Sequence, residues 1–338
     1  MIGVGLIGFG YWGPNLARNF STQPDCQLRA ICEQKEDRAK YAARLFPSTL
    51  VTPDYERLLQ DPDIHAVLVA TPVASHYAIA KAALQAGKDV FVEKPFTQTA
   101  AQAEELNALA RANGRIIAVD HTFLFTGSVQ KIKELVDKQE LGDLLYFDSV
   151  RINLGLFQQD VNVIYDLAPH DLSILVHLID KKPLALRAMG VCHGPQNLES
   201  LAYVHLEYEG GFVAHFHFSW VAPVKMRKTI IAGSKKMVVY DDLELLEKVR
   251  LYDKGIVLTP TKESLYKINV EYRTGDMLAP KLVHREALNA EAEHFIDCVR
   301  GRKKPLSDGE LGLQVVRLLE ASDKSLRAGG DRISLENL

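Results

Sequence analysis

Three glycines near the N-terminus follow the spacing G-x-G-x-x-G. The segment reads Gly8, Phe9, Gly10, Tyr11, Trp12 and Gly13. An apolar strand pattern precedes it and a helical pattern begins at Pro14, so the first glycine permits a tight turn, the second lets a pyrophosphate approach and the third lets helix and strand pack closely. The helix N-terminus would offer free N–H groups to the phosphates. We predict a dinucleotide site, although such glycines can also make only a turn.

Glu33 follows the second apolar segment and lies about 20 residues after the last glycine, where a carboxylate can bind a ribose 2′-hydroxyl. A carboxylate at this place repels a 2′-phosphate, which favours NAD over NADP. Lys35 and Arg38 lie nearby in sequence and could partly offset that preference. The alternative is a solvated residue at a strand end.

Lys94 lies in the tripeptide Glu93-Lys94-Pro95, directly after the apolar run 89–92. The carboxyl end of a parallel strand is where a doubly wound sheet binds its ligand. The following proline keeps Lys94 extended. We expect its ammonium group near a nicotinamide ring, while a solvated loop lysine is an equally good interpretation of this motif alone.

Asp166 and His170 are four residues apart in a helical pattern over residues 163–179, so both side chains project from one face. The carboxylate favours the protonated imidazole that forms when His170 takes a proton. Oxidation of a secondary alcohol needs such a base, because the hydroxyl proton must leave as the hydride departs. A buried helix histidine satisfied by its neighbour is the structural alternative.

The elements that must position these residues change character near residue 122. Before it, apolar runs alternate with amphipathic helical stretches, which is typical of βαβ units and a parallel sheet. The runs are 2–7, 28–32, 64–70, 89–92 and 115–119, and the helical stretches are 14–20, 36–46, 54–59, 76–86 and 100–112. After it come a helix at 129–139, a strand at 144–154, the helix at 163–179, strand-like runs from 184 to 257 and two closing helices.

The fold class that follows is α/β. We predict an N-terminal Rossmann domain, a doubly wound parallel sheet over residues 1–122, for the dinucleotide. Residues 123–338 form a C-terminal α/β domain with a large, mostly antiparallel open sheet, for substrate binding and oligomerisation.

The glycine motif, Glu93-Lys94-Pro95 and the Asp166–His170 pair occur with a further segment, Thr71-Pro72-Val73-Ala74-Ser75-His76. Together the chain resembles the Gfo/Idh/MocA family of oxidoreductases over essentially its whole length. The resemblance implies that Thr71, Pro72, His76 and Glu93 line the cofactor. His121 occupies a position where many members carry Asn, and we include it among the cofactor-binding residues.

The resemblance also implies roles in catalysis and assembly. Lys94 would lie by the nicotinamide and the reacting hydroxyl, and Asp166 and His170 would line the substrate pocket, with either Lys94 or His170 as proton acceptor. The C-terminal sheet would form a homodimer or homotetramer.

Within the family, residues 151–156, residues 157–162 and the tail around Gly275-Asp276-Met277 are similar to the nucleotide-sugar branch. This similarity implies oxidation at C3 of a nucleotide sugar such as UDP-N-acetylglucosamine, for amino-sugar biosynthesis of the lipopolysaccharide type with a partner aminotransferase. The expected substrate-binding residues are Lys94, Arg151, Asn153, Gln158, Asn162, Asp166 and His170.

Other functions are compatible with the same motifs. A dehydrogenase of a free sugar or inositol and an NAD-using glycosidase are enzyme alternatives. A non-catalytic sugar-sensing regulator is another, although it would be free to lose Lys94, Asp166 and His170.

Composition narrows the partners. The net charge of −3 gives no indication of a nucleic-acid partner or an anionic membrane surface, and no apolar run reaches the roughly 20 residues that span a bilayer. The four cysteines lack metal or disulfide spacing, which predicts a cytoplasmic protein with reduced thiols. His215 and His217 share a strand face, but no third ligand is evident and no metal is expected.

Overall fold

The computed structural model describes residues 1–155, 157–159, 161–194, 197–260 and 268–336, and the side chains of 256–260 and 268–271 are not considered. Leu156 and Asp160, from the two runs similar to nucleotide-sugar enzymes, lie outside the described residues. The chain forms two compact units. One comprises Met1–Thr126 and Arg285–Glu320, and the other comprises Gly127–His284 and Ala321–Leu338.

The first unit is built on a parallel sheet that confirms the predicted Rossmann topology. Within the described residues its six strands have the order β3-β2-β1-β4-β5-β6. They are β1 (Ile2–Ile7), β2 (Cys26–Cys32), β3 (Leu50–Thr52), β4 (Ala66–Val69), β5 (Asp89–Val92) and β6 (Ile117–Val119). The connecting helices are α1 (Gly13–Ser21), α2 (Glu36–Leu45), α3 (Glu56–Gln60), α4 (Val73–Gln85) and α5 (Ala100–Ala112). The sequence pattern did not predict β3, because three residues are too few to show a period.

The second unit contains the predicted large, mostly antiparallel sheet. In the described part of the chain it has nine strands in the order β14-β13-β12-β11-β7-β10-β9-β8-β15. The strands are β7 (Leu144–Leu154), β8 (Pro183–Val191), β9 (Leu201–Tyr208), β10 (Val213–Ser219), β11 (Val221–Gly233), β12 (Met237–Asp241), β13 (Val249–Pro260), β14 (Ile268–Leu278) and β15 (Ile333–Ser334). The pair β7–β10 is parallel. Helix α6 (Gly127–Asp137) precedes β7, and α7 (Val163–Leu178) packs against β7, β9 and β10.

The closing helices change the predicted division of the chain. Helix α8 (Ala287–Val299) belongs to the first unit, and the division between the units falls inside α9 (Gly309–Arg327). The reason is apolar burial: Phe295 of α8 forms edge contacts with Phe20 of α1 and Phe91 of β5, at centroid distances of 6.0 and 5.4 Å. The first unit therefore continues beyond residue 122, to Thr126, and includes a segment that we had predicted in the second domain.

Candidate active site

The glycine turn has a geometry that leaves room for a ligand at one glycine and none at the other two. Gly8 has φ +97°, and a Cβ there would lie 2.6 Å from the Ala70 carbonyl oxygen. At Gly13 it would lie 2.4 Å from the Gly8 carbonyl oxygen. At Gly10 the nearest described atom is Nη1 of Arg38, at 3.3 Å. Gly8 and Gly13 therefore serve the turn and the close packing of the helix, while Gly10 leaves open space that suits a pyrophosphate.

The N-terminus of α1 is suited to an anion. Trp12 is the N-cap, and among the described residues no side chain accepts from the first N–H groups and no acidic residue lies in the first turn. Pro14 occupies an early helical position that needs no N–H donor. Asn15 and Leu16 donate their N–H groups to the Trp12 carbonyl oxygen, so the Gly13 N–H and the positive end of the helix dipole are the features that favour phosphate oxygens.

Glu33 is held by the same turn. Its Oε2 accepts from the backbone N–H of Phe9 at 2.8 Å, and its Oε1 accepts from that of Lys35 at 2.8 Å. The residue is 8% exposed, so the carboxylate is fixed rather than free in solvent. A fixed acceptor next to the glycine turn fits a ribose hydroxyl.

Two loops at the carboxyl ends of β4 and β5 are joined by His76. Its Nδ1 lies 2.9 Å from the carbonyl oxygen of Pro95, and its Nε2 lies 2.8 Å from that of Thr71. The ring is 1% exposed, and burial lowers the pKa of His76. A neutral imidazole has one N–H, so His76 donates to one of these two carbonyl oxygens while its ring lies between the Thr71 and Lys94 loops. Its predicted direct contact with the cofactor, like that of exposed Pro72, stays a prediction.

Lys94 is half-buried at the end of β5, and the peptide bond to Pro95 is cis. Its backbone N–H donates to Glu93 Oε2 at 3.2 Å. Burial, together with the nearby Asp120 carboxylate, raises the pKa of Glu93 well above its ordinary value. Lys94 therefore directly follows a glutamate, Glu93, that is buried near the carboxylate of Asp120.

His121 follows β6 and is 1% exposed. Burial lowers its pKa to about 4, so the ring is neutral at physiological pH. Neither ring nitrogen has a hydrogen-bond partner in the described part of the chain. Buried polar atoms are normally satisfied, and these two nitrogens at the ligand-binding edge of the sheet therefore fit a polar group of a bound cofactor.

In the second unit, Asp166 and His170 lie on α7 as predicted, and both are partly exposed. Trp220, which is 1% exposed, donates from Nε1 to Asp166 Oδ2 at 3.0 Å. Its ring is buried, but its polar edge holds the carboxylate that accompanies His170, and no local sequence signal connects positions 54 residues apart.

Trp220 also contacts the segment that carries two of the predicted substrate-binding residues, Asn153 and Gln158. Its ring contacts Phe157 at a centroid distance of 5.7 Å, and a Cβ at Gly155 would lie 3.0 Å from the indole and 3.2 Å from Asn153 Oδ1. Gln158 is partly exposed in the same segment. Contacts of Asn153 and Gln158 with a substrate stay predictions.

Arg151 and Asn162 have structural partners instead. Arg151 is 5% exposed, and its guanidinium forms a buried ion pair with Asp171 of α7, which also accepts from Ser149 Oγ. Asn162 is the N-cap of α7, where its side chain accepts from the Tyr165 N–H at 3.1 Å. The ion pair joins α7 to β7, and the cap satisfies an N–H in the first turn of α7. The predicted roles of Arg151 and Asn162 in substrate binding receive no support from the burial of the two side chains.

The predicted site residues thus fall into two groups. Lys94 and the cofactor residues belong to the first unit, and Asp166 and His170 to the second. Their convergence on one carbinol remains a prediction.

The described residues contain no group of three metal-binding side chains, and none of their helices has the length and apolar character to cross a bilayer.

Comparison with known proteins gives matches over both units. The model of the oxidoreductase family with an NAD-binding Rossmann fold, GFO_IDH_MocA, matches residues 2–121, and the GFO/IDH/MocA C-terminal domain matches residues 129–239. The uncharacterized oxidoreductase YdgJ of Escherichia coli is 31% identical over 262 residues, which cover 73% of each chain.

A second relative covers more of the chain. UDP-N-acetylglucosamine 3-dehydrogenase of Acidithiobacillus ferrooxidans is 27% identical over 321 residues, 93% of each chain. A solved structure of UDP-N-acetylglucosamine 3-dehydrogenase GnnA from this organism has a TM-score of 0.82 at 24% identity, covering 97% of this chain and 98% of that one. This likeness shows the fold.

Proposed function

The chain belongs to the Gfo/Idh/MocA family of NAD-binding oxidoreductases, and we propose that it oxidises C3 of a nucleotide sugar such as UDP-N-acetylglucosamine to the 3-keto sugar. The observation that carries this proposal is the combination of an open glycine turn, with Glu33 fixed beside it, and a half-buried Lys94 at the carboxyl end of β5. The coarser function, an NAD-dependent sugar dehydrogenase, rests on the family.

The residues present fit a dinucleotide. The space at Gly10 and the uncapped N-terminus of α1 would bind the pyrophosphate, and Glu33 would bind the adenosine ribose. When bound, NAD supplies the electron sink, because its nicotinamide accepts hydride from the carbinol carbon. The fixed carboxylate of Glu33 favours NAD over NADP.

The protein must then remove the hydroxyl proton. We assign His170 as the general base, with Asp166 stabilising the imidazolium that forms and Trp220 fixing the orientation of Asp166. Lys94 would donate a hydrogen bond to the reacting oxygen and is the alternative proton acceptor. Either assignment removes one proton as the carbonyl forms.

The nucleotide-sugar substrate is supported by the relative that acts on UDP-N-acetylglucosamine and matches 93% of this chain. It is also supported by the segments around Phe157 and Gly275 noted above. On this proposal a cytoplasmic aminotransferase would use the 3-keto product, and the open sheet of the second unit would form a homodimer or homotetramer.

The test is an isotope-transfer assay. Purified protein with NAD is incubated with UDP-N-acetylglucosamine carrying deuterium at C3 and, as the matched control, at C4. We expect deuterated NADH from the C3-labelled substrate alone. Label transfer from C4, or no NADH from any UDP-sugar, would refute the proposed reaction.

The same assay separates the alternatives. Reduction of NAD by free hexoses or inositols, without UDP-sugars, would indicate a free-sugar or inositol dehydrogenase. Substrate cleavage without net NADH indicates an NAD-using glycosidase. Sugar binding without turnover indicates a regulator.

A further inference from the structure

Three buried carboxyl groups from different elements lie together in the first unit. Glu93 follows β5, Asp120 follows β6 and Glu291 lies on α8, and they are 9%, 2% and 2% exposed. Asp120 and Glu291 did not figure among the residues expected from the sequence. Burial of three ionised carboxylates in contact would be prohibitively costly, so the cluster requires protons or cations.

Among the three carboxyl groups, Asp120 is the one that accepts several hydrogen bonds. Its Oδ2 accepts from Trp12 Nε1 at 3.0 Å, and its Oδ1 accepts from the backbone N–H of Thr122 at 3.3 Å and from the Thr122 hydroxyl. Donors that converge on both oxygens favour the ionised form of a carboxyl group. Asp120 is therefore the member best suited to carry the negative charge.

The two glutamates have fewer donors than Asp120, and the one described at Glu93 is the Lys94 N–H on Oε2. Among the described residues neither oxygen of Glu291, nor Oε1 of Glu93, has a hydrogen-bond partner. Both carboxyl groups nevertheless lie within hydrogen-bonding reach of Asp120. Two carboxyl groups form a hydrogen bond when one of them holds a proton, so protonation converts these contacts from repulsive to attractive.

The surroundings of the two glutamates also favour their protonated forms. Burial and the charge of Asp120 raise the pKa of both Glu93 and Glu291 well above the ordinary value, while Lys94 opposes the shift at Glu93 and Thr122 opposes it at Glu291. His121, whose titration responds to the charges of Asp120 and Lys94, is neutral because burial lowers its pKa to about 4.

We propose that Glu93 and Glu291 are protonated and donate their O–H groups to an ionised Asp120, and that this carboxyl cluster positions Lys94. The chain of contacts runs from Glu291 through Asp120 to Glu93, whose Oε2 accepts the backbone N–H of Lys94. Glu291 is thus a positioning residue, and His121 and Lys94 border the cluster. The catalytic consequence rests on the proposed function, whereas the protonation state does not.

Infrared spectroscopy tests the protonation state directly. A protonated carboxylic acid has a carbonyl stretch separate from that of a carboxylate, and the whole protein should show this band at neutral pH. Glu291→Gln and Glu93→Gln should each remove part of it. Glu293→Gln, on the same helix but exposed and paired with Arg285, should leave it unchanged. A spectrum without the band, or one unchanged by both cluster substitutions, would overturn the proposal.

A second measurement covers the case in which a variant does not fold. A glutamate whose pKa is higher in the folded than in the unfolded state takes up a proton on folding. It does so at every pH between its unfolded pKa, about 4.3, and its folded pKa, and the free energy of unfolding therefore falls as pH rises through that range. Wild-type protein should therefore show proton uptake on folding at neutral pH, and Glu291→Gln one proton less. Absence of uptake in the wild type would contradict the protonation state.

Kinetics test the positioning role. The amide of Glu291→Gln can still donate to Asp120, so we expect kcat within about twofold of wild type, whereas Glu291→Leu removes the donor and should lower kcat about tenfold with NAD affinity retained. If Leu and Gln give equal kcat in folded protein, Glu291 does not position Lys94. If neither variant nor wild type reduces NAD while the infrared band is present, the proposed function fails and the cluster remains.

Discussion

The indole Nε1–H of Trp12 donates to Asp120 Oδ2 across 3.0 Å, and this bond joins the glycine turn after β1 to the end of β6, 108 residues later. The turn that would hold the pyrophosphate is thereby connected to the acidic cluster behind Lys94. The residues that would contact a ligand at the turn are therefore hydrogen-bonded to the acidic residues next to Lys94.

Two glycines of the turn should respond differently to alanine. Gly10→Ala should lower NAD affinity at least about tenfold, roughly 1.4 kcal/mol, because its methyl group fills the phosphate space. Its free energy of unfolding should change little, since only the mobile end of Arg38 must move. Gly13→Ala should cost about 1–3 kcal/mol of stability, because its Cβ meets the Gly8 carbonyl. Titration with NAD and urea unfolding measure both, and equal loss of stability in the two variants would contradict this interpretation.

Glu33→Gln should weaken the preference for NAD over NADP. The carboxylate is fixed by the Phe9 and Lys35 N–H groups, so its charge meets a 2′-phosphate directly. We expect the ratio of NAD to NADP dissociation constants to shift about tenfold toward NADP. Glu36→Gln, an exposed change at the start of α2, is the matched control. An unchanged ratio would show that Glu33 does not face the ribose.

Lys94→Met should reduce the rate of NAD reduction by about 10²-fold or more and leave NAD binding within a few-fold. His170→Asn should lower the same rate and change its pH profile if the imidazole is the base. Lys40→Met, on the exposed surface of α2, serves as control. Unchanged turnover after Lys94→Met would remove the lysine from the mechanism.

The buried ion pair of Arg151 and Asp171 should be more important for stability than for substrate affinity. Arg151→Met and Asp171→Asn each leave the other member of the pair buried with its charge uncompensated. We expect either variant to lower the free energy of unfolding by about 3–5 kcal/mol. The double variant Arg151→Met/Asp171→Leu should recover most of that loss. Urea unfolding checks stability, and a large rise in KM in folded Arg151→Met would instead support the predicted substrate contact.

His121 should make the protein sensitive to acid. Its pKa in the folded state is about 4, below the unfolded value of about 6.5, so the stability it confers is complete above pH 6.5 and is lost as pH falls toward 4. The full effect of one such group is about 3 kcal/mol. His121→Asn does not titrate in this range and should flatten the curve of unfolding free energy against pH. Identical curves would contradict a buried neutral ring.

Sequence alone determined the features that depend on nearby residues. Three features are of this kind: the G-x-G-x-x-G spacing, the alternation of strands and helices, and the i, i+4 pair on α7. Each depends on the backbone geometry of a short segment, at most one βαβ unit long. They were sufficient to predict the Rossmann topology, the mostly antiparallel sheet, the family and NAD. The two closing helices were predicted as well, and Asp308 caps the second of them by accepting the Leu311 N–H.

Only the tertiary structure decided which distant side chains meet. Sheet order brings Trp12 beside Asp120, the return of α8 to the first unit adds Glu291, and the packing of α7 on β7 gives Arg151 an ion-pair partner. No local pattern specifies such neighbours, because they result from burying apolar faces such as that of Phe295. The charge and hydrogen-bond partners around the predicted lysine therefore depend on long-range packing, whereas its place at a strand end depends on the tripeptide itself.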